Sequence, residues 1–372
     1  MLSRLEIENF RAFDRLTLDG LTRVNLLVGK NGCGKTTVLE AVHLWAGNGT
    51  PRAIWQVFSQ RAGEWSKADR EENFREKWTV RHLFHDVDPE VEPLLRLTGA
   101  AAEGNSKVEV DLPSLADTDL KLGTIDGRAV LWRPRAKSYP FSAQRKTLRI
   151  TGDAIHPVCI LELDPDGRLA STELLDDEMD NRRQTTSSLV PCSGIADSVL
   201  GDWFGKLMAT DAEERVVAVI QLLRPDLERI MWIAPTHSTE GGFFLKMRGN
   251  KARVPLDLFG EGLRRLLGMA ITMVSEEAGI LLIDEIDTGL HYSLIEQLWG
   301  ALIELSRQLD VQIFATTHSS DCIRALAWLV EDRPDLAPDV SLHRIEPGLP
   351  NSVRYGAEDI ALAAKHHVEV RG

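Results

Sequence analysis

The chain has little that would build a secreted, metal-stapled or membrane protein. It carries four cysteines in 372 residues, Cys33, Cys159, Cys192 and Cys322, and no two form a C-x-x-C pair. That excludes a zinc-ribbon spacing and points away from a disulfide framework. Free thiols suit a reducing cytoplasm, which is the expected location. No run of about 18 uninterrupted apolar residues occurs, so no bilayer span is expected. The opening Met1-Leu2-Ser3-Arg4-Leu5-Glu6 enters a strand pattern at once and lacks the apolar core of a secretory leader. Basic residues are outnumbered: 43 Lys and Arg stand against 56 Asp and Glu, for a formal charge of −13. A uniformly basic nucleic-acid coat is thereby excluded, although a local basic strip is not.

What is present starts with Gly29-Lys30-Asn31-Gly32-Cys33-Gly34-Lys35-Thr36, which fits G-x-x-x-x-G-K-[ST]. The apolar run Val24-Asn25-Leu26-Leu27-Val28 leads into it, and a helical stretch from Thr37 to Trp45 leaves it. Glycines let successive backbone N–H groups turn inward around phosphate, and the helix N-terminus adds a favourable dipole. Lys35 is expected to reach the β- and γ-phosphates, and Thr36 to ligate Mg²⁺. The alternative is a plain glycine-rich turn, which the strand-loop-helix context disfavours. Gly47-Asn48-Gly49-Thr50-Pro51 stops the helix.

The length allows two to three compact units, or one large domain with an insertion. Residues 1–77 read as the first part of an α/β head and 78–190 as an antiparallel β-rich insertion, in which the polar stretch from about Asp177 to Ser188 reads as a linker or mobile loop. Within the insertion, Asp164-Pro165-Asp166-Gly167 reads as a turn rather than a metal-binding D-x-D. Residues 191–235 hold two helices, expected to project as an arm, with Thr210-Asp211-Ala212-Glu213 as a capping box. Residues 236–372 return to α/β. Ile280-Leu281-Leu282-Ile283 and Val311-Gln312-Ile313-Phe314-Ala315 suit parallel strands covered on both faces, with a helix over Tyr292–Leu309 between them.

Ile283-Asp284-Glu285 closes an apolar strand with two carboxylates, a Walker-B pattern. Asp284 is expected to hold Mg²⁺, usually through water, and Glu285 to act as general base on the attacking water. A solvated acidic strand end is the plainer alternative, weakened by the phosphate loop upstream. Thr316-Thr317-His318-Ser319 ends the next strand, where ligands collect in α/β sheets, and His318 there can sense a γ-phosphate. His82, His85, His366 and His367 lack metal-site spacing with acidic partners.

Leu258-Phe259-Gly260-Glu261-Gly262-Leu263-Arg264-Arg265 precedes an apolar helix and then the Walker-B strand, roughly 250 residues after the phosphate loop. In this order the chain resembles the ABC-class ATPase heads of the SMC/RecF/OLD group. Leu5–Phe13 is similar to their opening strand, and Ile286-Asp287-Thr288-Gly289-Leu290-His291 and the tail Tyr355–Gly372 resemble stand-alone bacterial AAA family ATPases with an OLD-like head. The resemblance implies an α/β P-loop NTPase with an ABC-type head, an ATP-hydrolysing enzyme using ATP and Mg²⁺. It implies nucleotide contacts from Gly29–Thr36, Thr37 and Arg11. It also implies a head-to-tail homodimer in which Gly260, Gly262 and Asp287 face the partner's nucleotide. Glu285, His318 and Lys35 are the implied catalytic residues. Thr36, Asp284 and a Q-loop glutamine, Gln60 before Gln56, are the implied metal site. Gly260 stands where such signatures offer a serine, so backbone N–H groups, or Arg264 and Arg265, would substitute. A nuclease or other effector would act in trans, as in PARIS- and Septu-type anti-phage systems; DNA repair is the other setting implied. A slow ATP-binding scaffold that holds and releases an effector is the alternative reading.

Arg128, Arg133, Arg135, Lys137, Arg145, Lys146 and Arg149 fall in one window without an acidic residue, interleaved with Trp132, Tyr139 and Phe141. The stretch reads either as a DNA-binding strip or as a solvated sheet face with its aromatics turned inward.

Overall fold

The computed structural model describes residues 1–59, 77–85, 93–102, 104–112, 114–115, 124–125, 128–129, 145–152, 159–163, 168–170, 187–235, 241–275 and 279–365. Along the chain run β1 (Leu2–Phe10), β2 (Phe13–Asp19), β3 (Val24–Val28), α1 (Lys35–Ala46), α2 (Pro51–Ser59), β4 (Leu94–Ala101), β5 (Gly104–Asp111), β6 (Arg145–Gly152) and β7 (Cys159–Glu162). There follow β8 (Ser187–Val190), α3 (Asp197–Met208), α4 (Glu213–Leu223), β9 (Leu227–Ile233), β10 (Gly242–Met247), β11 (Arg253–Pro255), α5 (Glu261–Ser275) and β12 (Ile280–Ile283). The last elements are α6 (Tyr292–Leu309), β13 (Gln312–Thr316), α7 (Ser320–Asp332), β14 (Val340–Arg344), β15 (Val353–Gly356) and α8 (Ala357–Lys365).

The central sheet has the order β8-β12-β13-β3-β14-β15, parallel except for the last strand. Successive side chains of a strand point to opposite faces, so a strand covered on both sides must be apolar throughout. β3, β12 and β13 are buried at every residue. Their alternate positions divide between two cores. Leu27, Ile280, Leu282 and Phe314 face α1 and a second, antiparallel sheet. Leu26, Leu281, Ile283 and Ile313 face α5, α6 and α7. The P-loop strand, the Walker-B strand and the strand before His318 therefore lie side by side, with their C-terminal ends together.

The antiparallel sheet has the order β7-β6-β5-β4-β1-β2, with a short strand at 114–115 on β6. β1 pairs with both β2 and β4, so the β-rich section continues the sheet that the first residues of the chain begin. Alternating burial along β1 (Leu2, Leu5, Ile7, Phe10) packs this sheet on α1. Gly99 is required at one such contact, because a Cβ there would lie 2.3 Å from the Trp45 indole.

Three expectations are corrected here. The helices after residue 191 do not project as an arm. Leu200, Phe204 and Leu207 of α3, and Val216, Val219 and Ile220 of α4, are buried in one core with Leu263, Leu266 and Leu267 of α5. Seen in the sequence, such apolar stripes fit a two-helix arm as well as a face packed on a third helix. The capping box does not form: Thr210 Oγ1 donates to the Leu207 carbonyl at 3.0 Å, and Ala212 is the N-cap. The polar stretch ending at 188 runs into β8, which pairs in parallel with β12. Its Ser187-Ser188 opening masked a strand whose apolar part is only two residues long. The turn at 164–167 lies outside the described residues.

Candidate nucleotide site

Between β3 and α1 the loop needs φ values that a side chain resists. Gly34 has φ 99°, and a Cβ on it would meet the Phe13 ring at 2.4 Å. The β1–β2 turn thus closes over the loop and only glycine fits beneath it. Lys30, Asn31 and Gly32 are exposed along the loop, whereas Cys33 and Thr37 are buried. The Lys35 side chain turns back into the loop. Its Nζ donates to the Gly29 and Lys30 carbonyls, each at 2.9 Å, and lies 3.4 Å from His318 Nδ1. Burial lowers its pKa, because leaving water disfavours the ammonium.

The Walker-B turn sits directly opposite. Thr36 Oγ1 donates to Asp284 Oδ1 at 3.2 Å, and Thr316 Oγ1 donates to the same oxygen at 2.7 Å. Two adjacent ligands of an octahedral Mg²⁺, each about 2.1 Å from the metal, would be about 3.0 Å apart. The hard oxygens of Thr36 and Asp284 therefore fit that ion. Among the described residues no cluster of three His, Cys, Asp or Glu forms a metal cage; Mg²⁺ sites of this kind combine one or two protein oxygens with nucleotide phosphates and water.

Glu285 has φ 50°, a left-handed conformation that costs a non-glycine residue about 1–2 kcal/mol. The turn is held by specific bonds. The Glu285 N–H donates to Thr316 Oγ1 at 2.8 Å, and the Ile286 N–H donates to the Thr316 carbonyl at 3.0 Å. Hydrogen bonding from Cys192 to the carboxylate leads the causes that lower the pKa of Glu285. Asp287 accepts from Thr317 Oγ1 at 2.6 Å, which ties the segment after Walker B to the residue before His318.

Arg265 staples this region. Its side chain is buried on α5 and donates to four carbonyls: Pro191 at 3.2 Å, Cys192 at 2.8 Å, Asp284, and Glu285 at 2.9 Å. One guanidinium thus joins the ends of β8 and β12. Burial lowers its pKa. Replacing Arg265 with alanine leaves four inward carbonyls without their donor. The expected cost is about 3 kcal/mol, seen as a fall of several degrees in the thermal unfolding midpoint. A midpoint within one degree of the parent's would show that the staple is dispensable.

Lys35, Thr36, Asp284, Glu285 and His318 converge at one end of the sheet. The Arg11 side chain is buried beside Glu40 of α1, with Nε 3.5 Å from Oε2. Arg264 and Arg265 are not free for a partner's phosphate: Arg264 pairs with Asp197 and Asp257, and Arg265 turns inward. Gly260 has φ 86°, and Gly262 lies so close to the next segment that a Cβ would meet the Gly289 carbonyl at 2.7 Å. Gln60 lies outside the described residues. Gln56 is bound to His43 Nε2 at 2.8 Å, within the α1–α2 packing. The residue that the strand beside Walker B delivers to Glu285 is Cys192, which the sequence did not single out. Of the basic window, Arg149 pairs with Asp111, Arg145 and Lys146 lie on β6, Arg128 lies in a short strand, and Arg133, Arg135 and Lys137 lie outside the described residues. The His85 ring is bonded to the Arg11 carbonyl.

A parallel sheet that assembles a P-loop, a Walker-B pair and a following histidine, with a signature-like segment on the helix before Walker B, defines a P-loop ATPase head of the ABC class. The chain belongs to the family described as AAA domain, putative AbiEii toxin, Type IV TA system, whose model matches residues 46–321; a second AAA-domain model matches residues 4–86. It is 20% identical over 349 residues to a Helicobacter pylori protein named ATP/GTP phosphatase, covering 90% of this chain and 89% of that protein. A DNA replication and repair protein RecF of Acinetobacter baylyi is 49% identical over 45 residues, 12% of this chain and 13% of that protein. Among solved structures, an SMC head domain from Thermotoga maritima aligns at 14% identity with a TM-score of 0.44, covering 95% of this chain and 98% of that chain. The protein is thus an ATP-binding ATPase of the AAA family. No helix among the described residues is long and apolar enough to cross a membrane.

Proposed function

We propose that the chain hydrolyses Mg-ATP at a composite site formed head to tail by two copies, and that the bound γ-phosphate switches the pair between closed and open states. Lys35 and the loop N–H groups hold the phosphates. Thr36 and Asp284 would hold Mg²⁺, which would screen phosphate charge. Glu285 takes a proton from the attacking water, and His318, beside Lys35, senses the γ-phosphate. The N-terminus of α5, with Gly260 and Gly262, caps the nucleotide of the facing copy, and Asp287 and its neighbours line the same contact. ATP that binds only the closed pair stabilises it by mass action.

One observation carries the pairing. Among the described residues the two most exposed large hydrophobic side chains are Leu258, 75% exposed, and Tyr292, 66% exposed. They open the signature-like segment and follow the Asp287–His291 loop, the two places that a head-to-tail contact would cover. Complementation tests the reading. Lys35→Ala removes a chain's own phosphate loop and Leu258→Asp spoils its capping face, so each variant alone is inactive. Mixed, they form pairs with one intact site, and about a quarter of parental turnover returns. A mixture as silent as its parts would defeat the composite site.

We further place this switch in phage defence or DNA repair, with a nuclease or another effector supplied in trans. The family description names a toxin–antitoxin system, and the RecF relatives are named for DNA repair. Stable co-purification with an effector supports the first setting, and stimulation of turnover by DNA ends the second.

A further inference from the structure

Parallel pairing sets Val190 opposite Ile283, so the residues two places further on, Cys192 and Glu285, leave neighbouring strands side by side. The Cys192 thiol donates to Glu285 Oε2 at 3.0 Å. The Thr288 hydroxyl donates to that same oxygen, also at 3.0 Å. Among the described residues no hydrogen bond ends on Oε1. Arg265 holds the Cys192 carbonyl, so the thiol is delivered by a clamped backbone.

We propose that Cys192 is a positioning residue for hydrolysis: with Thr288 it fixes Oε2 of Glu285, so that Oε1 is the oxygen presented to the attacking water. The proposal rests on the reading of Glu285 as general base. A glutamate has three rotatable bonds, and a base must stay within hydrogen-bond reach of its water. Two donors on one oxygen remove that freedom while leaving the other oxygen open. Thiol and hydroxyl lie 3.8 Å apart, so both bonds coexist without a clash. Neither residue is called on to touch nucleotide; each acts through the carboxylate.

The test uses the full chain and reads nucleotide affinity and single-turnover hydrolysis separately. Cys192→Ala should lower the hydrolysis rate about tenfold with ATP affinity within about twofold, since orientation and not binding is lost. Cys192→Ser restores a donor at that place and should recover most of the rate. Thr288→Val examines the same oxygen from the other side and should resemble Cys192→Ala, which guards against a folding defect at either residue. On a Glu285→Gln background, Cys192→Ala should add no further loss, because the two act through one group. A parental rate in Cys192→Ala, a serine that restores nothing, or an equal further loss on the Gln background would each overturn the proposal. Normal turnover of Glu285→Gln alone would instead bring down the base assignment, so the two failures are told apart.

Discussion

Lys35→Ala is expected to lose ATP binding by at least about 100-fold while remaining folded. The reason is local. Nζ is the buried cation of the loop and donates to the Gly29 and Lys30 carbonyls. A phosphate chain offers charged acceptors in their place, and each charge-assisted bond contributes about 1.5–3 kcal/mol. Two such bonds therefore account for a loss of that size. The carbonyls left behind border the exposed residues Lys30–Gly32, where water can replace the ammonium, so the unfolding midpoint should fall little. Titration with a fluorescent nucleotide analogue checks the first part and a thermal scan the second. Retention of parental affinity would remove Lys35 from phosphate binding.

The second large effect is that of Glu285→Gln. Glutamine matches glutamate in shape, and its amide oxygen can still accept from Cys192 and Thr288. The backbone bond to Thr316 Oγ1 is untouched, so the left-handed turn persists. What is lost is proton acceptance, and general-base catalysis contributes typically about 10²–10⁴-fold. The variant should bind ATP normally, turn over at least about 100-fold more slowly, and accumulate as a closed pair detectable by sedimentation. ATP that is bound but not consumed keeps stabilising that state. A variant that hydrolyses at the parental rate would show that another group activates the water.

Most of the site was legible because two of its parts are local. Gly29–Thr36 carries its glycines, lysine and hydroxyl within one turn of chain, and Asp284-Glu285 follows directly on four buried apolar residues. His318 was legible for the same reason, at the end of β13. Cys192 was not, because its place beside Glu285 comes from strand pairing across a sequence separation of 93. Arg265 was visible as a basic residue of the signature-like segment, but its direction was not. In the sequence a guanidinium there serves a partner's phosphate as readily as its own chain's carbonyls; the position of Arg265 on the buried face of α5 turns it inward.

The amino-acid sequence by itself determined the phosphate loop, the Walker-B pair, the strands that carry them and the ATPase class, since each depends on residues near one another in the chain. Only the tertiary structure decided that the β-rich section shares a sheet with β1, that α3 and α4 pack on the head, and that Cys192, Thr288 and Arg265 surround Glu285. Those facts depend on which strands become neighbours and which face of a helix finds a core, and alternating or helical spacing is equally compatible with several partners.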